Sequence, residues 1–183
     1  LMNQRTMPDS LVSVVESIPA SAHPMEVVRT IISYMGVIEP EKSFDDQLAI
    51  AKRLIGVTTT AIVYWYNFSH NGVKVSQDSG ERSVAGHFLK LLRQEDIPEL
   101  DKKTLDVSLT LYAEHEFNAS TFTGRVCAST LSDLHSCLTA AVGSLRGPLH
   151  GGANEEAMKM LQQINSVEEV KSFVDQKFEN KEK

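Results

Sequence analysis

Apolar residues recur at three- and four-residue steps along most of the chain, the spacing that lines them up on one side of a helix. Leu11, Val14, Val15 and Ile18 form the first such stripe, behind an Asp9/Ser10 cap and ahead of Pro19. Pro24 suits a first helical turn, and Met25, Val28, Ile31, Ile32 and Met35 carry the pattern to Gly36, where a helix is expected to stop. Ser43 and Asp46 make an S-x-x-D capping box before Leu48, Ala51, Leu54 and Ile55, and apolar character continues to Tyr66. Residues 58–66 are rich in β-branched and aromatic types, which also suits a strand. No turn signal separates them from the preceding pattern, so the segment is assigned to one long, deeply buried helix.

Asn71-Gly72 and residues 77–80 mark a polar loop, expected to be the most mobile stretch. Further helices are expected over residues 84–92, 102–116 and 120–129, with Pro98 separating the first two. Asp133 can cap a helix through Val142 whose face carries Ser136, Thr139, Ala140, Ala141, Gly143 and Ser144. Small residues let helices approach closely, either at a subunit seam or within one core. After Gly147-Pro148 the chain turns more charged, with amphipathic helices expected over residues 154–164 and 167–178. No segment reads persuasively as a strand and no repeat appears, so the fold class is all-α.

At 183 residues and 20.3 kDa, with 42% hydrophobic and 23% charged residues, the chain suits one globular domain or one and a part. Lys plus Arg against Asp plus Glu gives 18 − 24 = −6, so no sequence-wide basic field exists to hold a nucleic-acid backbone. The longest apolar run, residues 60–66, falls short of the roughly 20 residues that cross a bilayer, and residues 1–10 show no apolar signal core. The expectation is a cytoplasmic protein with no membrane partner. Cys127 and Cys137, ten apart without a CxxC, suit a reducing compartment, provide no metal-ligand spacing and exclude a disulfide framework.

Histidine is the side chain best suited to proton transfer near neutral pH, and the chain has six. His23, before Pro24, and His135, on the small-residue helix, read as structural; His70 and His87 have no companion ligand nearby in sequence. His150 stands in Arg146-Gly147-Pro148-Leu149-His150-Gly151-Gly152, where three glycines and a proline make a sharp turn that lets a ligand approach backbone amides. The helix expected just after it directs partial positive charge toward the imidazole, which favours a neutral ring able to donate to a carbonyl oxygen. The bland alternative is a punctuated loop with His150 as a cap. In Ala113-Glu114-His115-Glu116-Phe117-Asn118-Ala119-Ser120, His115 stands between two carboxylates at a helix break. With Asn118, Ser120 and Arg125 as a counter-charge it fits a small-dicarboxylate pocket; the alternative is a solvated helix end. Neither stretch is HExxH.

Taken together, residues 113–125 (AEHEFNASTFTGR) and 147–155 (GPLHGGANE) closely resemble the citrate synthase family, its 2-methylcitrate synthase branch included. The similarity extends to Ala22-His23-Pro24-Met25, Arg29-Thr30 and His87-Phe88-Leu89, and so to nearly the whole chain. The resemblance implies that His150 is catalytic, holding a thioester carbonyl and stabilising the enol, while Pro148, Leu149, His150, Gly151 and Gly152 line the coenzyme A site. It implies that His115 binds oxaloacetate, that the partners are oxaloacetate and an acyl-CoA, and that subunits pair as a homodimer. No metal or redox cofactor is expected, coenzyme A entering as the thioester substrate. Residues 1–149 would belong to a large helical domain and residues 150–183 would begin a small one. Family chains run to about twice this length, with a catalytic aspartate and a second catalytic histidine further on, so these residues alone are expected not to turn over. Ser69-His70-Asn71-Gly72 after Trp65-Tyr66 looks most like the propionyl-CoA branch, whereas residues 127–134 and 147–161 look equally like acetyl-CoA enzymes. From another class, the chain reads as a helical scaffold that has lost catalysis.

Overall fold

The computed structural model describes residues 1–114 and 116–180. The chain is 69% helical, without a strand among the described residues, and so all-α as expected. The helices are α1 (Asp9–Ser17), α2 (Pro24–Ile38), α3 (Gln47–Asn71), α4 (Val84–Arg93), α5 (Glu99–Tyr112), α6 (Ala119–Ala128), α7 (Leu134–Leu145), α8 (Gly152–Leu161) and α9 (Val170–Glu179), with short 3-10 turns at Met2–Gln4, Phe44–Asp46 and Val167–Glu169. Two compact units result, Leu1–Ser144 and Leu145–Lys183.

In the first unit α1, α2 and α4 are arranged about α3. Ser43 and Asp46 form the expected capping box, the Ser43 N–H donating to Asp46 Oδ2 at 3.0 Å, and the Phe44–Asp46 turn runs straight into the helix. The β-branched stretch after Gly56 stays helical because its side chains are buried on two faces. Leu54, Val57, Ala61, Tyr64 and Trp65 pack with Leu11 and Val15 of α1 and with Val27, Ile31, Ile32 and Met35 of α2. Gly56, Thr60, Val63 and Asn67 lie buried on other positions of the same helix. Tertiary burial thus overrides the strand propensity of single residues. Leu48 and Ile55, read as core positions, are instead 67% and 50% exposed. By length and composition alone, residues 44–71 are apolar enough to cross a membrane; they are the core helix of this unit. Gly72, at φ 68°, ends α3 in the left-handed region that glycine tolerates.

Several boundaries differ from the sequence reading for identifiable reasons. Asp9 and Ser10 lie inside the first turn of α1, whose N-cap position is Pro8. Gly36 does not end α2; it lies inside the helix, where an added Cβ would sit 2.8 Å from the Cβ of His135. Its lack of a side chain serves the close approach of α7. Helix α5 starts at Glu99, directly after Pro98, and ends at Tyr112, short of the expected Glu116. The Asp133 cap is present, Oδ1 accepting from the Ser136 N–H at 2.9 Å.

The loop between α3 and α4 is tied down. Arg5, only 3% exposed, donates to the carbonyl oxygens of Glu81 at 2.5 Å and Ser83 at 3.0 Å, and the Met7 N–H donates to Gln77 Oε1 at 2.5 Å. Arg53 of α3 grips the N-terminal segment from the other side, donating to the Gln4 and Thr6 carbonyls at 2.7 and 2.9 Å while pairing bidentately with Glu39. Gly56 makes room for this segment, since an added Cβ would lie 2.7 Å from the Gln4 carbonyl oxygen.

His87 of α4 is fully buried between two hydroxyls, Thr60 Oγ1 at 2.9 Å from Nε2 and Ser79 Oγ at 2.8 Å from Nδ1. One nitrogen of a neutral imidazole donates and the other accepts, which this pair of hydroxyls satisfies. Burial, helped by the nearby Arg5 charge, pushes the His87 pKa down from 6.5 to about 4. The unfolded chain therefore binds a proton here that the folded chain resists, and stability falls as pH drops from about 6.5 to about 4, at a cost of up to about 3 kcal/mol. The expected outcome is that His87→Gln is less stable than the parent at pH 7.5 but loses less stability on acidification to pH 5, as read from urea unfolding midpoints at both pH values. Parallel losses in parent and variant would contradict it.

Candidate functional site

The turn that carries His150 begins where α7 ends. The Gly147 carbonyl oxygen accepts from both the His150 N–H at 3.0 Å and the Gly152 N–H at 3.2 Å, folding residues 147–152 tightly around one oxygen. Space inside the turn is filled by backbone: a Cβ on Gly151 would lie 2.5 Å from the Leu145 carbonyl oxygen, and one on Gly152 would lie 3.0 Å from that of Gly147. Helix α8 starts at Gly152, so the ring of half-buried His150 stands immediately before a helix N-terminus. Pro148 is exposed, and Leu149 is 97% exposed.

The second candidate, His115, lies outside the described residues. Around it, the Glu116 N–H donates to Glu114 Oε1 at 2.7 Å, and Glu116 takes a φ of 53°, an uncommon conformation for a non-glycine residue. Asn118 and Ser120, read as polar groups for a dicarboxylate, serve the helix start: Asn118 Oδ1 accepts from the Thr121 N–H at 2.8 Å and from Ser120 Oγ at 2.7 Å. That role was legible as an Asn ahead of a helical run. The Arg125 guanidinium lies over the Phe117 ring, 5.4 Å from its centre.

His23 and His135 take the structural roles read for them, whereas His70 finds its partners among its sequence neighbours. His23 caps α2, its Nδ1 accepting from the Met25 N–H at 3.1 Å. His70 stacks on Tyr66 with ring centres 4.7 Å apart, and its Nδ1 meets Ser69 Oγ at 2.9 Å. His135 is 3% exposed against Gly36. Among the described residues no group of three or more His, Cys, Asp or Glu side chains is placed to hold a metal ion. Hollows of about 430 and 460 Å³ in the first unit are lined by Arg82, Ser83, Glu99 and Lys103 and by Glu39, Lys42, Arg53 and His135 respectively; neither includes residues 147–152.

The family described as "Citrate synthase, C-terminal domain" matches residues 1–183. The chain belongs to the citrate synthase family. It is 52% identical over 183 residues to the 2-methylcitrate synthase of Shewanella oneidensis, covering all of this chain and 49% of that protein. It is 37% identical over 186 residues to the citrate synthase of Deinococcus radiodurans, again covering 100% of this chain and 49% of the relative. Among solved structures, the citrate synthase of Thermotoga maritima superposes with a TM-score of 0.84 at 31% identity, over 100% of this chain and 48% of that one. A citrate synthase from Thermoplasma acidophilum, solved as a ternary complex with carboxymethyl coenzyme A and oxaloacetate, gives 0.88 at 26% identity, with the same coverage. The chain thus spans about half the length of the relatives it matches.

The tightness of the His150 turn generates a ranked expectation for this member of the citrate synthase family. Gly151→Ala drives a Cβ against backbone 2.5 Å away and should cost about 1–3 kcal/mol, whereas Gly152→Ala, with its nearest atom at 3.0 Å, should cost less. Urea unfolding of both variants checks the order; equal stabilities would refute it.

Proposed function

We propose that the whole protein condenses propionyl-CoA with oxaloacetate and water, releasing 2-methylcitrate and coenzyme A. The observation that carries this reading is the 52% identity with a 2-methylcitrate synthase along the entire chain. The citrate-type reading with acetyl-CoA is favoured by relatives named citrate synthase that match the entire chain at 37% and 39% identity.

In this reading the imidazole of His150 donates a hydrogen bond to the thioester carbonyl oxygen. Negative charge develops on that oxygen as a carboxylate base, placed outside these residues by the family resemblance, removes a proton from the α-carbon. Donors fixed before charge develops need no reorganisation during the reaction, which is what a turn closed on a single carbonyl oxygen supplies. The enol carbon then attacks the keto carbon of oxaloacetate, which His115 helps to hold. Water cleaves the resulting thioester, giving the free tricarboxylate and the coenzyme A thiol. Pro148, Leu149, Gly151 and Gly152 would lie along the thioester arm, with Leu149 giving it an apolar contact. The large-domain and small-domain assignment of residues 1–149 and 150–183, and pairing of two subunits, belong to the same proposal.

Oxaloacetate-dependent thiol release by the full-length protein tests the reading. Propionyl-CoA should exceed acetyl-CoA in kcat/KM, and because one methylene in an apolar pocket is worth only about 1–3 kcal/mol, both activities are expected to be measurable. His150→Ala should lower kcat/KM by about 100-fold or more. Activity undiminished in that variant would remove His150 from the chemistry. Faster turnover of acetyl-CoA would move the enzyme to the citrate reading.

A further inference from the structure

His87 is sealed inside the first unit at 0% exposure, so its partners come from the chain folded around it. The ring lies between α3, which it meets at Thr60 Oγ1, and the loop ahead of α4, which it meets at Ser79 Oγ. Each hydroxyl has a further partner, and together those partners give the hydrogen bonds a direction. Thr60 Oγ1 donates to the Gly56 carbonyl oxygen at 3.3 Å, which leaves its lone pairs to accept from His87 Nε2–H. Ser79 Oγ accepts from the Glu81 N–H at 3.2 Å, which leaves its proton for an unprotonated His87 Nδ1. One run of donors thus leads from the Glu81 amide through Ser79, His87 and Thr60 to the Gly56 carbonyl. In the opposite tautomer Ser79 Oγ would accept twice and its proton would lose the imidazole, while Thr60 would have to leave Gly56.

We propose that His87, held as the Nε2–H tautomer, is an acid-released latch that fastens the loop between α3 and α4. A second proton enters at Nδ1, the ring's free lone pair. Ser79 Oγ can then face the ring only by accepting from it and from the Glu81 N–H together, and its own proton loses the imidazole. Nε2–H keeps Thr60, so the change falls on the loop and not on α3. Burial opposes the cation most, and the Arg5 guanidinium, bonded to the Glu81 and Ser83 carbonyls, adds to that opposition. Asp78, whose carboxylate accepts from the Gly80 N–H, favours the cation. The Glu81 carboxylate, beside Gly86 of α4, is held by Lys102 of α5 at 2.8 Å, and α3 brings the neutral Thr60 hydroxyl. Opening the loop gives the charged ring water, so acidification favours the open form before the core unfolds. This inference does not rest on the acyl-CoA reading.

Hydrogen exchange of the full-length protein tests the latch, read by mass spectrometry on peptides covering residues 77–83 and 57–67. Labelling at pH 7.5 and pH 5.0 is timed to equalise intrinsic exchange. A ring whose pKa is about 4 when closed and 6.5 when open makes opening about 30-fold more frequent at the lower pH, so the loop peptide should lose about 30-fold in protection. The α3 peptide should remain the slower of the two at both pH values. In His87→Asn and His87→Gln, which cannot titrate, loop protection should be the same at both pH values. Nitrogen NMR of the parent with ring-labelled histidine should show a proton on His87 Nε2 and none on Nδ1 at pH 7.5. The parent measurements stand without either variant. Loop exchange independent of pH in the parent would overturn the proposal, as would a proton on Nδ1 in place of Nε2. Acid sensitivity surviving in either variant would give the effect to another group, and loop and α3 peptides exchanging at one common rate would make it global; each outcome overturns the latch.

Discussion

A helix buried on more than one face gains by pairing the polar groups it carries into the core, and α3 sets that condition for the first unit, leaving Thr58 Oγ1 as a buried exception. Its own amides and carbonyls are consumed by the helix ladder, which is why a stretch this rich in Thr, Val and Ile lies buried as helix and not as an isolated strand. The remaining polar side chains dictate what packs where. Thr60 meets His87, Asn67 Nδ2 donates to the Leu91 carbonyl at 3.2 Å, and the Trp65 indole N–H donates to the Ile18 carbonyl at 3.2 Å. Two of these contacts reach α4 and the third reaches the end of α1, so the polar requirements of one helix fix the positions of α4 and of the α1 terminus. Apolar packing alone would bring these elements together without selecting their register.

The same helix holds the chain's start by charge. Arg53 uses one nitrogen for two carbonyls of the N-terminal segment and its other nitrogens for the Glu39 carboxylate. Arg5 continues the arrangement by binding carbonyls at the start of α4. Guanidinium groups suit this work because planar donors reach several acceptors at once and keep their charge when buried. At the opposite edge, Tyr64 donates to Glu16 Oε1 at 2.6 Å, and burial with that carboxylate raises its pKa to about 12, so the phenol remains a donor at any pH the protein meets.

Most helices were legible because their apolar period, capping residues and prolines agree with one another, as at Ser43/Asp46, Pro98 and Asp133. The misread positions share a cause. Gly36 carries a strong local stop signal that the neighbouring His135 overrides, and contact between residues 99 positions apart leaves no trace in local pattern. His87 had no companion within its own stretch because its partners, Thr60 and Ser79, come from another helix and a loop. Leu48 and Ile55 fit the period yet face outward, since period reports that a side is apolar without saying what covers it. For the candidate site the balance is reversed. The turn at residues 147–152 was legible from composition, as three glycines and a proline leave few alternatives. The capping work of Asn118 competed with a ligand reading of the same polar atoms.

Close approach at glycine serves two different ends at Gly56, Gly36 and Gly151. At Gly56 the space of a Cβ is taken by a backbone carbonyl of the N-terminal segment, at Gly36 by a histidine side chain, and at Gly151 by the last carbonyl of the preceding helix. The first two bring elements of the core together. The third brings two ends of one turn together. A turn closed on the Gly147 oxygen leaves the His150 backbone few arrangements, so in the proposed reaction the entropy of placing that backbone would be lost on folding and not at the moment a substrate binds. A longer or more flexible loop could carry the same imidazole but would have to order it during the reaction. The close packing that makes Gly151 intolerant of a methyl group is therefore the same property that, in the proposed reaction, would suit the histidine beside it to stabilising a short-lived charge.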